Sequence, residues 1–323
     1  MHGALGDVYE QALSFKLLKE KYANDQLIAF FSCADRLEAF KHYNLDMFDE
    51  IHLWDKIPDC NIDRFDQFQI NDGELRADIL AHLSSDELRK FDFEKAWLPW
   101  SVIRTNNYAH NPVRLVLSDV GLTHYAHLLA LYGLTEENIT QSVGYLWRYR
   151  AAGGAIKPYG QASKEDILKT KSDLFKCLTE EYGLHVIVAG MNYQPARNSE
   201  LSQERNSSGV LDGEINAKFT GDKLAIPDTN VTYLQGLGYA AELEIIARTR
   251  FQLLMPSGFS EPIWMMNGAK TLLVDPPPIY LLKLIKNRMP LFDNVQLRSF
   301  LYNCNNCHSS TRVLSELKKR QLL

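Results

Sequence analysis

Cysteine is scarce in this chain: five in 323 residues, an odd number too sparse for a disulfide framework, so reduced thiols are expected. A basic excess is missing as well. Lys and Arg number 35 against 40 Asp and Glu, a net charge of −5, which removes the global positive field that concentrates nucleic acid; no nucleic-acid partner is expected. No window reaches the run of about 18 apolar residues that a membrane helix requires. The opening MHGALGDVYEQ has neither the charged leader nor the apolar run of an export signal, so the chain reads as cytoplasmic. No repeat of solenoid period is found. What remains is an ordinary globular composition, 46% apolar, 11% aromatic and 23% charged, with enough apolar material for a real core. At roughly 150 residues per domain the length suggests two domains or one large one.

The apolar pattern alternates between strand and helix. Val8, Ala12, Phe15, Leu18 and Tyr22 recur every three or four residues, which predicts an amphipathic helix ending near Asn24. Leu27 to Phe31 is an unbroken apolar run, as in a parallel strand covered on both faces. A helix from about Ala34 to Tyr43 and a strand from Glu50 to Trp54 follow. From Asp55 to about Asp78 the sequence is polar and aperiodic, Ser84-Ser85-Asp86-Glu87 then offers a capping-box start for a short helix, and another helix is expected from Thr123 to Tyr132, before Gly133. A second series then begins. It comprises a strand near Ser142 to Tyr149, a long helix capped by Ser163 and stopped by Gly183, and a strand from His185 to Ala189. After a polar stretch from Asn192 to about Asp222 come Val231 to Leu234, a helix from Tyr239 to Thr249, the strand Phe251 to Met255, a helix around Pro262 to Asn267 and the strand Thr271 to Val274. Strands alternating with helices imply α/β architecture with parallel sheets. Two such series meeting near residue 135 fit two doubly wound halves.

Gly3-Ala4-Leu5-Gly6-Asp7 runs straight into the first helix. Glycines allow a tight backbone turn, and the helix start beyond them offers free N–H groups to an anion or polar substrate. A plain turn with Asp7 favouring the helix start is the alternative. The GxGxxG dinucleotide fingerprint is absent, and the next strand ends Phe31-Ser32-Cys33 without the acidic residue that binds a ribose, which disfavours NAD. A buried strand should precede such a turn, yet only Met1 and His2 do; either that strand is missing from the sequence or another segment takes its place.

GALGDVYEQALSFKLLKEKY, followed by DQLIAFFSCADRLEAFKHYNLDMFDEIHLW, resembles the opening of the heptosyltransferase-like glycosyltransferases, glycosyltransferase family 9. That resemblance implies the GT-B fold, two Rossmann-like domains facing across a cleft. Residues 1–135 would form the acceptor domain, 136–300 the nucleotide-sugar donor domain, and 301–323 a carboxy-terminal helix returning to the first domain. It further implies that Asp7, on the turn made by Gly3 and Gly6, is the catalytic base of an inverting, metal-independent transfer needing no cofactor beyond the nucleotide-diphosphate sugar. The chemistry suits a carboxylate: displacement at an anomeric carbon requires a base for the acceptor hydroxyl, and the departing diphosphate requires positive charge or N–H donors.

Two segments of the second half match that second requirement. Trp147-Arg148-Tyr149-Arg150-Ala151-Ala152-Gly153-Gly154, with Lys157 close behind, combines guanidinium forks with glycines that permit close backbone approach; arginines on an edge strand are the plain alternative. The family has a basic residue after this strand, so Arg148, Arg150 and Lys157 are the candidates, although the Lys-x-Trp wording is absent. Met255-Pro256-Ser257-Gly258-Phe259-Ser260-Glu261 resembles the family's Asp-Ser-Gly turn, where backbone N–H groups and a hydroxyl meet the donor phosphates. Pro256 stands in place of the usual aspartate and Glu261 in place of a frequent histidine. Ser257 and Gly258 are thereby assigned to the diphosphate and Glu261 to the donor ribose, with a helix-capping role for Glu261 as the alternative.

The expected partners are a nucleotide-sugar donor and a glycan or glycolipid acceptor. Ile279 to Arg288, with Lys283, Lys286 and Arg288 among leucines, suits either contact with an anionic membrane surface or ordinary packing on the sheet. Cys304-Asn305-Asn306-Cys307-His308 matches a haem-attachment pattern, but nothing else suggests haem or a fourth zinc ligand, and no metal site is expected. A GDP-fucose-type transferase, a nucleotide-sugar epimerase and a non-catalytic binding protein of the same fold are the competing functions, the last because fold alone does not confer activity.

Overall fold

The computed structural model describes residues 8–9, 12–13, 15–16, 19–20, 22–31, 34–53, 74–75, 96–97, 114–146, 171–189, 230–234, 238–254, 262–263, 266, 270–274 and 310–323. In the first half, Val8, Tyr9, Ala12, Leu13, Phe15, Lys16, Lys19 and Glu20 are helical, and the apolar members of this stripe are buried. Strand β1 (Ile28–Phe31) pairs in parallel with β2 (Glu50–Leu53), Ile28 opposite Glu50, and helix α1 (Ala34–Phe40) connects them. A short antiparallel pair, β3 (Glu74–Leu75) and β4 (Ala96–Trp97), lies where the sequence shows no periodicity.

Helix α2 (Asp119–Tyr132) starts where Ser118 Oγ accepts from the Gly121 N–H at 3.2 Å, and stops at Gly133, whose φ of 63° few other residues adopt. Helix α3 (Glu136–Gln141) follows at once. Its six polar-rich residues give no apolar stripe to read, but Thr135 and Asn138 cap each other reciprocally and specify its start.

The second half is a five-stranded parallel sheet in the order β7-β6-β5-β8-β9, comprising β5 (Val143–Leu146), β6 (Val186–Ala189), β7 (Val231–Tyr233), β8 (Phe251–Leu254) and β9 (Thr271–Leu273). Every residue of β5, β6 and β8 is buried, which is why these strands read as apolar runs, interrupted in β8 by Gln252, whose amide donates to the Thr249 carbonyl at 2.9 Å. The helix before β6 ends in a π-helical turn, Cys177–Glu181, and Gly183 stops it at φ 62°, with the Leu184 N–H reaching back to the Leu178 carbonyl at 2.9 Å. The expected Ser163 cap lies outside the described residues.

Helix α4 (Tyr239–Arg248) joins the two halves: Tyr239 packs its ring 6.2 Å from that of Phe40. Helix α5 (Ser310–Lys319) buries Val313 and Leu317 and sets the Lys318 ammonium 5.6 Å from the Tyr182 ring. One buried cluster runs from Val8 to Leu317, and each large side chain in it contributes about 1.5–3 kcal/mol. The α/β class with parallel sheets is thus as expected. No described helix is long and apolar enough to cross a membrane.

Candidate functional site

The order of the large sheet singles out one place on its edge. From β5 the chain steps outward through β6 to β7, then returns along α4 to add β8 on the opposite side of β5. Connections therefore diverge between β5 and β8, and in open parallel sheets the crevice beyond the carboxyl ends at such a reversal is where ligands bind. The two strands run in register to their ends, with Leu146 opposite Leu254. Gly144 makes the crossover close: a Cβ there would lie 2.6 Å from Thr249 Oγ1 and 3.0 Å from Ile246 Cγ2, so only a bare backbone admits the end of α4.

The sequence-derived site residues flank described elements. Arg148, Arg150 and Lys157 follow β5; Ser257, Gly258 and Glu261 follow β8; Gly3, Gly6 and Asp7 precede Val8. All nine lie outside the described residues, as does the Cys304 to His308 motif. The described frame nevertheless brings their flanks together. β5 and β8 are neighbours, so the two proposed donor-binding segments begin side by side. Across the chain, the Tyr9 hydroxyl lies 3.8 Å from Met266 Sδ and accepts from the Leu115 N–H at 3.1 Å. The helix that follows Asp7 is therefore in contact with the segment that follows Glu261. Tyr9 is fully buried and its phenol is held strongly in the neutral form, chiefly by loss of water.

Below this edge a polar network fixes α4. Glu244, only 3% exposed, accepts from Arg248 Nε at 2.8 Å and from an Arg114 terminal N–H at 3.2 Å. Arg248 reaches on to Glu136 at 2.9 Å, Tyr125 donates to the same Glu136 oxygen at 3.0 Å, and the guanidinium sits 4.9 Å from the Tyr125 ring centroid. Burial works against the Arg248 charge, but the Glu244 and Glu136 carboxylates outweigh it and the proton is held more tightly than usual. The spacing of Glu244 and Arg248 is a helical i, i+4 pair visible in the sequence; Arg114 and Glu136 are brought in only by the fold. A second group also escapes sequence reading: His42 and His124, ring centroids 5.0 Å apart, beside the start of α4. Among the described residues no three His, Cys, Asp or Glu side chains are grouped to hold a metal ion.

Compared with known proteins, the chain matches no protein-family model and no curated protein by sequence.

Proposed function

We propose that the protein is a glycosyltransferase of GT-B architecture, moving a sugar from a nucleotide-diphosphate donor to the hydroxyl of a glycan or glycolipid acceptor. The observation that carries this reading is the reversal between β5 and β8. Two segments rich in diphosphate-binding chemistry, Arg148 with Arg150 and Ser257 with Gly258, begin within two or three residues of paired strand ends. An extended chain advances at most about 3.6 Å per residue, so Arg148 starts within about 7 Å of Leu146 and Ser257 within about 11 Å of Leu254. The Tyr9–Met266 contact supports a shared site in the same way, because Asp7 is two residues from Tyr9.

In this reading Asp7 takes the proton from the acceptor hydroxyl as the oxygen attacks the anomeric carbon and the bond to the diphosphate breaks with inversion. Arg148, Arg150 and Lys157, with the backbone N–H groups at Ser257 and Gly258, take up the charge that develops on the departing nucleoside diphosphate. Glu261 accepts hydrogen bonds from the ribose hydroxyls.

The test has two arms. Thermal shifts with GDP, UDP, ADP and CMP should identify one stabilising nucleotide, and Asp7→Asn should retain that shift while losing sugar transfer by a factor of about 100 or more. Full turnover by Asp7→Asn sinks the base assignment. Stabilisation by GDP alone moves the balance to a GDP-fucose-type transferase, and no shift with any nucleotide moves it to a non-catalytic binding protein.

A further inference from the structure

Two imidazoles meet where three elements converge. His42 lies in the connection after α1, which is stapled to the entry of α2: Ser118 N–H donates to the His42 carbonyl at 2.9 Å, and Asn44 N–H to the Val116 carbonyl at 2.7 Å. His124 projects from α2, with its ring centroid 5.0 Å from that of His42. On its other side His124 presses on Gly238, the residue that opens α4; a Cβ there would come 2.2 Å from His124 Cε1 and 2.8 Å from Nδ1. The Nδ1 atoms of both rings are buried and have no hydrogen-bond partner.

This environment disfavours a charged His124 ring. An imidazolium turns every ring nitrogen into a donor, and a buried donor without an acceptor costs about 1–3 kcal/mol. It would also place a positive charge beside a second imidazole and against the amino-terminal end of a helix, where backbone N–H groups already present positive charge. We propose that His124, backed by His42, forms a proton-sensitive latch that holds the first turn of α4 against α2 while its ring is neutral, and lets it go when that ring is protonated.

Among the described residues, few charged or titratable side chains stand near the two rings. Glu38 of α1 and Lys41 of the connection pair with each other at the surface. Tyr43 and Asp46 lie further along the connection, Asp119 and His127 are exposed on α2, and Tyr239 and Glu242 open α4 as buried side chains. His124 has its proton affinity lowered first by burial, then by His42 and His127, so its nearest charge partners reinforce the neutral state. The sign follows. A histidine harder to protonate in the closed form favours closure fully above its ordinary value of 6.5, and the preference is lost as pH falls below that. Because α4 begins at the same edge of the sheet as the β5–β8 reversal, opening the latch loosens a wall of that crevice in mildly acidic conditions.

Amide hydrogen exchange on the full chain tests this at Glu242, whose N–H donates to the Gly238 carbonyl at 3.0 Å and is the first to break when the turn opens. After correction for intrinsic exchange, its protection should drop about tenfold between about pH 7.5 and about pH 5.5, one pH unit below the free imidazole value. In His124→Asn the drop should shrink to less than about twofold. An equal drop in that variant, or none in the unmodified protein, overturns the proposal. Should His124→Asn not fold, an NMR titration of the His124 ring in the unmodified protein decides. A ring titrating at or above the ordinary histidine value overturns the latch.

Discussion

The two parallel arrangements are held by different forces. In the five-stranded sheet the three central strands are buried at every position, and α4 packs across them through Ile245 and Ile246, both fully buried. In the β1–β2 pair, β2 alternates, leaving Ile51 and Leu53 at 37% and 46% exposure, and its start is fixed by polar contacts instead. Asp49 accepts from the Leu27 N–H and from Lys19, both at 2.7 Å. Apolar burial is insensitive to pH and salt, whereas an exposed carboxylate clamp is sensitive to both. The segments assigned to the nucleotide thus leave from the part of the molecule with the more robust scaffold.

Four substitutions would break or sharpen that contrast. The largest effect is expected for Leu253→Ala in β8, about 2–5 kcal/mol of unfolding free energy in urea, against under about 1 kcal/mol for Leu53→Ala in β2. Equal losses would erase the distinction between the sheets. Glu244→Gln probes the network on α4 that ties the second half to Arg114. Removing the charge should cost about 1–2 kcal/mol, at the low end for hydrogen bonds to ions because Arg114 and Arg248 keep 45% and 32% exposure and remain hydrated. The smallest effect is expected at Asp49. The Leu27 N–H, then Lys19, holds this carboxyl below its ordinary 3.8, so its contribution is complete above about pH 4 and is lost as pH falls through the lowered value. After correction for intrinsic exchange, protection of the β1–β2 amides should fall in that acidic window in the unmodified protein and show a weaker pH dependence in Asp49→Asn, while β5 and β8 stay protected.

What the sequence disclosed follows from the same contrast. Strands buried on both faces announce themselves as apolar runs, and β1, β5, β6, β8 and β9 each lie within the stretch where a strand is expected. Gly183 as a helix stop was legible because a left-handed residue after an apolar helix has few alternatives to glycine. Helix α3 was not: six residues with one buried side chain, Ile139, carry no periodicity, and its capping box ends in Asn where Glu or Gln is the usual signal. The pairing of His42 with His124, like that of Arg114 with Glu244, depends on which elements the fold places together, and no local pattern encodes it. For the candidate site, the strand ends were readable, whereas sequence segments of Gly, Pro and Arg have no period from which geometry can be deduced.

The contact between Tyr9 and Met266 joins residues 257 positions apart. On a ribosome adding about 5–20 residues per second, the first helix must wait on the order of ten to fifty seconds before its partner emerges. Until then its apolar stripe, with Val8, Ala12, Leu13 and Phe15, has only part of its final cover, and a chaperone able to bind apolar helices would find it available. The helix around Tyr9 is thus among the last parts of the molecule to be completed, which links its assembly to synthesis of the segment around Met266.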